Sequence, residues 1–146
     1  MKLDDFLNKV DHGRIVEAIR SAEARSRGEI RVHVSHRAVD DAQAAAAREF
    51  EKLGMTATKE RNGVLLYVAP KVRRFAVIGD IGIHDKGGRD LWPRLAAMLE
   101  AAFREGRYTE GLVEAIAQIG ELLAQHFPRT AGADVNELPD QISEDR

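Results

Sequence analysis

The chain has no cysteine. Disulfides, zinc-thiolate sites, iron–sulfur clusters and cysteine nucleophiles are therefore excluded, and the cytoplasm is the expected location. It also lacks a long apolar run. Its uninterrupted hydrophobic stretches fall far short of the roughly 18 residues that a membrane span requires. The opening Met1-Lys2-Leu3-Asp4-Asp5 has no apolar core of the kind a signal peptide carries. Neither charge sign dominates: the net charge is −2, which gives no general attraction to phosphate backbones or anionic lipid. Nucleic-acid binding and membrane insertion are thus not expected. What is present is ordinary for a globular protein, with 146 residues, 44% hydrophobic and 32% charged. A chain of this length folds as one domain and buries around two-thirds of its unfolded surface.

Along the chain, Asp11 caps an expected helix to about Ser26, with Ile15, Val16, Ile19 and Ala22 on one stripe. Phe6, Leu7 and Val10 form a preceding turn, and Gly28 is read as a left-handed helix terminator. Residues 29–35 alternate, with Ile30, Val32 and Val34 on one face and Arg31, His33 and Ser35 on the other. That is the pattern of a half-buried strand. An alanine-rich helix opening at Asp40-Asp41 follows, able to pack closely on a sheet. Val64 to Ala69 is apolar on both faces and reads as a central strand. A turn at Pro70 to Arg73 leads to its hairpin partner, Phe75 to Gly79. Two further helices carry Leu91, Leu95, Leu99 and Phe103, then Leu112, Ile116, Ile119, Leu123 and Phe127, with Asp90 and Thr109 as their caps. Residues 1–128 make the expected domain. Residues 129–146, polar and acidic, are read as a disordered tail. The order predicts an α/β fold, a three-layer α/β/α sandwich on a small mixed sheet: two parallel strands and an antiparallel third.

Strand polarity brings three segments to one end of that sheet: Glu29, Asn62-Gly63, and the glycine-rich stretch Asp80-Ile81-Gly82-Ile83-His84-Asp85. Glu29, Arg61, Asn62, Gly82 and Asp85 are the candidate ligand-binding residues, and Asp80 and His84 the candidate catalytic pair. Carboxylates and carbonyls suit Ca²⁺ or Mg²⁺, which makes Asp80, Asp85 and Asp90 candidate metal ligands. Zn²⁺ is less suited, although His84 is able to ligate a transition metal or transfer protons near neutral pH. The same residues also fit a plain strand-to-helix turn with solvated charges. The opposite end, where ligands of parallel sheets usually lie, carries His36, Pro70, Lys71, Arg73 and Arg74. It is a competing site for an anionic molecule or an acidic partner. His33 and His36 stand at an odd offset, which on a strand sends them to opposite faces. Trp92, beside Leu91 and Pro93, reads as core or groove wall.

Four segments in order carry a family resemblance: Gly28 to Val32, Arg61 to Ala69, Arg74 to Ile83, and Phe103 to Leu112. Together they resemble the TPM domain family, whose members include thylakoid, Psb-type and MOLO-type proteins. The chain looks like a stand-alone soluble branch of it, of bacterial type. The resemblance implies an α/β/α sandwich. It also implies acid phosphatase activity of the plant members, divalent-metal binding of some bacterial ones, and no known function for most. This chain departs from the family pattern by carrying Arg61 where an acidic residue is common, and His84 where a glutamate is common. Both changes make the loop less acidic, and Arg61 with Lys86 and Arg89 offers an anion charge-assisted hydrogen bonds.

The functional expectation is accordingly a soluble, monomeric TPM-like domain that binds a divalent metal, a small ligand or a protein partner at the loop after the third strand. The alternatives are a metal-assisted, acid-phosphatase-like hydrolase of phosphomonoesters and a purely structural partner-binding module.

Overall fold

The computed structural model describes residues 1–129 and 142–145. Two short helices come first, α1 (Leu3–Lys9) and α2 (His12–Glu23), followed by β1 (Glu29–Val34) and α3 (Ala42–Lys52). The hairpin β2 (Gly63–Ala69) and β3 (Arg74–Gly79) leads into a single helical turn, α4 (Ile81–His84). Two long helices, α5 (Leu91–Arg104) and α6 (Tyr108–His126), precede a two-residue strand, β4 (Ser143–Glu144).

The strands form one sheet in the order β3-β2-β1-β4. β1 runs parallel to β2, with Ile30 opposite Val64 and His33 opposite Tyr67, whereas β3 returns antiparallel. The expected mixed sheet is therefore present. β2 is buried along its whole length, as its unbroken apolar sequence requires of a central strand. One face, with Ile30, Val32, Val64 and Leu66, packs on the leucine and isoleucine stripes of α2, α5 and α6. The other face is covered by α3, whose small Ala45 and Ala46 let its backbone approach Tyr67, Ala69 and Ala76. Helices on both faces of the sheet make the three-layer α/β/α sandwich. No helix among the described residues is long and apolar enough to cross a membrane.

Several local features differ from the sequence reading. Residues 142–145 belong to the stretch that reads as a disordered tail, yet Ser143–Glu144 pairs in parallel with β1, with Ser143 opposite His33. Sequence polarity hid this, because the strand is held by polar side chains and only Ile142 is buried apolar surface. Residues 130–141 of that stretch lie outside the described residues. The polar face of β1 is not solvated either: Glu29, His33 and Ser35 are all buried. Gly28 does not adopt a left-handed backbone, as Gly54, Gly88 and Gly106 do. Its requirement is space, since a Cβ there would lie 2.5 Å from Leu123. Asp11 and Asp41 cap α2 and α3 as expected, accepting from Arg14 N–H and Ala44 N–H. Asp90 makes no capping bond. Thr109 falls inside α6, where its hydroxyl accepts from Asp11 N–H at 3.0 Å and ties two helix starts together.

Candidate functional site

The stretch Asp80 to Asp85 is helical rather than open loop. Asp80 caps α4, its Oδ1 accepting from Ile81 N–H at 2.8 Å, and its carbonyl accepts from Ile83 and His84. Gly82 is dictated by a close approach. Its N–H donates to Arg61 O at 2.7 Å, and a Cβ at this position would lie 2.1 Å from Glu60 O. The buried Asp80 carboxylate is gripped by Arg61, with Nε 2.7 Å from Oδ2 and Nη2 2.9 Å from Oδ1. That hydrogen bonding raises the Arg61 guanidinium above its ordinary range. Arg27 makes a second fork, to Glu60 at 2.8 and 2.9 Å, which holds the Glu60 carboxyl below its ordinary range. Asn62 is buried and donates to Arg27 O at 3.2 Å, and Glu29 is buried at the start of β1.

Three of the expected site residues, Arg61, Gly82 and Asp80, are thus brought together directly. His84 is exposed, its ring parallel to that of Trp92 and its carbonyl accepting from Trp92 Nε1 at 2.8 Å. The Trp92 ring in turn lies over Gly79, so it walls this end of the domain. Asp85 and Asp90 are exposed beyond the helical turn. Asp80, Asp85 and Asp90 do not gather their oxygens at one point. Among the described residues, the set whose His or carboxylate donor atoms lie within 4.8 Å of one another is His33, Glu49 and Asp145.

That second cluster sits at the carboxyl end of β1. His33 Nε2 is 2.9 Å from Asp145 Oδ2 and 3.4 Å from Glu49 Oε1, while Nδ1 is 3.0 Å from Ser143 Oγ. His33 also stacks on Tyr67, with centroids 5.7 Å apart. His36 contacts the other Asp145 oxygen through both its ring and its N–H. The odd offset did not separate the two histidines because β1 ends at Val34, so His36 has left the strand alternation. Burial alone would raise the Asp145 carboxyl, but hydrogen bonds from His33, Ser35 and His36 outweigh it and hold it far below the ordinary range. Burial likewise pushes the Tyr67 phenol up and the Arg31 guanidinium down. Strand alternation put His33 on a polar face, a legible signal. Nothing in the sequence placed Asp145 beside it.

The third feature is a cleft of about 390 Å³ at the carboxyl end of β2, lined by Phe6, Val68, Phe75, Phe103 and Tyr108. Its aromatic rings form one cluster, with Phe6–Tyr108 and Phe103–Tyr108 centroids 5.3 and 5.4 Å apart. Arg73, Arg74 and Arg104 line it as well. Arg104 is paired with Glu100 at 2.8 Å. Arg73 and Arg74 have no carboxylate partner among the described residues. Of the competing anion site of the sequence reading, Pro70, Arg73 and Arg74 line this cleft, whereas Lys71 does not and His36 stands instead with Asp145.

This fold coincides with that of a known family. The sequence model of the TPM domain matches residues 1–122, and the chain belongs to the TPM domain family. The solution structure of BA42 from the psychrophilic bacterium Bizionia argentinensis is similar to it at 39% identity, covering 92% of each chain with a TM-score of 0.83. The N-terminal domain of a protein from P. gingivalis shares the fold at 24% identity, covering 81% of this chain and 76% of that one, with a TM-score of 0.54. No curated protein matches the chain.

Proposed function

We propose that this TPM domain is a monomeric binding module whose ligand is a small amphipathic anion held in the cleft beside β2. The observation that carries the reading is the pairing of an aromatic floor with the unpaired cations Arg73 and Arg74 in one cavity. Its volume lies in the range of small-molecule sites, which combine apolar walls with a few placed polar groups. Its position, outside the carboxyl ends of parallel strands, is where open α/β sheets bind ligands. An apolar body would displace water from Phe75, Phe103 and Tyr108, and a carboxylate or phosphate head would take charge-assisted hydrogen bonds from the two arginines.

Binding of a divalent cation at Asp80, or metal-assisted phosphomonoester hydrolysis there, is the second reading. In its favour stands the convergence of Asp80, Arg61 and Gly82. Against it, Arg61 and Ile81 N–H already use both Asp80 oxygens, so a cation has to displace the guanidinium first. Phenyl phosphate separates the two by calorimetry with parallel detection of phenol. The cleft reading expects binding without turnover, weakened roughly tenfold in the double variant Arg73→Ala/Arg74→Ala, about the worth of one charge-assisted hydrogen bond. Turnover lost in Asp80→Ala would establish the hydrolase instead.

A further inference from the structure

The groups around His33 have a use that the cleft does not involve. Cleft and cluster lie on opposite faces of the sheet, since Val68 lines the first and the adjacent Tyr67 stacks on His33. Three separate parts of the chain supply the donors: β1 gives His33, α3 gives Glu49, and the residue after β4 gives Asp145. We propose that His33 Nε2, Glu49 and Asp145 form a three-ligand binding site for a transition-metal dication of the zinc type, with the fourth position left to solvent.

The spacing fits such an ion. With bonds of roughly 2.0–2.2 Å, a tetrahedral centre holds its ligand atoms about 3.4 Å apart. The distances from His33 Nε2 are 2.9 Å to Asp145 and 3.4 Å to Glu49, with all three donors within 4.8 Å. The His33–Glu49 distance already matches this spacing, and the His33–Asp145 distance has to open by about half an ångström. His33 is also oriented as a ligand should be. Ser143 Oγ lies 3.0 Å from Nδ1, so a proton held there leaves the Nε2 lone pair facing the two carboxylates.

Charge and donor type point the same way. Two carboxylates, largely withdrawn from water, converge on one imidazole nitrogen. A dication neutralises both acids at once. Imidazole nitrogen with carboxylate oxygen suits zinc, cobalt or nickel, whereas Ca²⁺ and Mg²⁺ favour shells made of oxygen. An ion bound here links β4 to β1 and α3. It would therefore stabilise the pairing that covers the outer edge of β1, an edge otherwise open to other chains.

The test is titration of Co²⁺ into the chelator-treated full chain, followed by visible absorption and by amide NMR. One equivalent should develop the intense bands of a tetrahedral cobalt centre, be displaced by Zn²⁺, and shift residues 33, 36, 49 and 143–145. Glu49→Gln and Asp145→Asn, which keep shape and remove charge, should each weaken binding at least about tenfold with the fold intact, while His126→Ala leaves it unchanged. A chain that develops no such bands overturns the proposal. So does an affinity that survives both Glu49→Gln and Asp145→Asn, because adventitious binding elsewhere would then account for the uptake.

Discussion

Arg61 and Asp80 close on each other as a two-pronged pair, Nε on Oδ2 at 2.7 Å and Nη2 on Oδ1 at 2.9 Å, with Asp80 buried and Arg61 only partly so. Arg61 holds this pose with a left-handed backbone, φ 50°, a conformation that costs a non-glycine residue energy. The pair therefore repays a strain that the turn before β2 imposes. Arg61→Ala should lower the urea midpoint clearly more than Arg104→Ala, which breaks an exposed pair on α5. Arg61→Lys should recover little of the loss, since an ammonium cannot fork onto both oxygens. Equal midpoints for Arg61→Ala and Arg104→Ala would contradict the assignment.

Gly82 lies against the same turn. A Cβ there would meet backbone oxygens of Glu60 and Arg61 at 2.1 and 2.6 Å, and backbone cannot swing aside as a side chain does. Gly82→Ala should destabilise by roughly 1–3 kcal/mol, the usual range for overpacking. Gly54→Ala is the useful comparison: nothing lies within 4 Å of its Cβ and only its φ of +74° resists, at a cost of about 1 kcal/mol. Chemical denaturation of the two variants checks the order, and a milder effect at Gly82 would count against this packing.

Asp145 gives a pH dependence whose sign is fixed. Its carboxyl is held far below the ordinary range in the folded chain despite burial. A depressed carboxyl contributes stability that is fully present above its unfolded value of about 3.9 and is lost as pH falls through the folded value. In metal-free protein the β4 attachment should therefore survive mild acid and be lost only in strong acid. Carboxyl-carbon NMR of Asp145 should show a midpoint well below the ordinary aspartate value of about 3.9. An ordinary midpoint would mean that the histidines do not hold it.

The phenol of Tyr67 is the mirror case. Burial raises it, so folding favours the neutral form, and that contribution is present below about 10 and lost as pH rises through the folded value. Tyr67→Phe should flatten the alkaline fall in stability. A fall as steep as that of the parent chain would place its cause elsewhere.

The layers and the hairpin were legible because each rests on periodicity within a short segment: the buried run from Val64 to Ala69, and the leucine stripe from Leu91 to Leu99. Strand polarity alone brought Gly82 and Asp80 to Arg61. It did not disclose that Arg61 would occupy the carboxylate, because pairing depends on a left-handed turn no pattern announces. β4 was invisible for a related reason. Its two residues are polar, and their partners His33 and Val34 lie more than a hundred positions away. The basic turn Lys71 to Arg74 was plain as charge. Its cleft was not, since Phe6, Phe103 and Tyr108 converge on it from three helices.

The central claim is that ligand chemistry resides in that cleft. Amide NMR titration of the intact chain with phenyl phosphate tests it most directly. The account predicts saturable shifts confined to residues 6, 68–75 and 100–108, the segments that line the cleft. Saturable shifts centred instead on Arg61 and residues 80–90, or none at all, would contradict it.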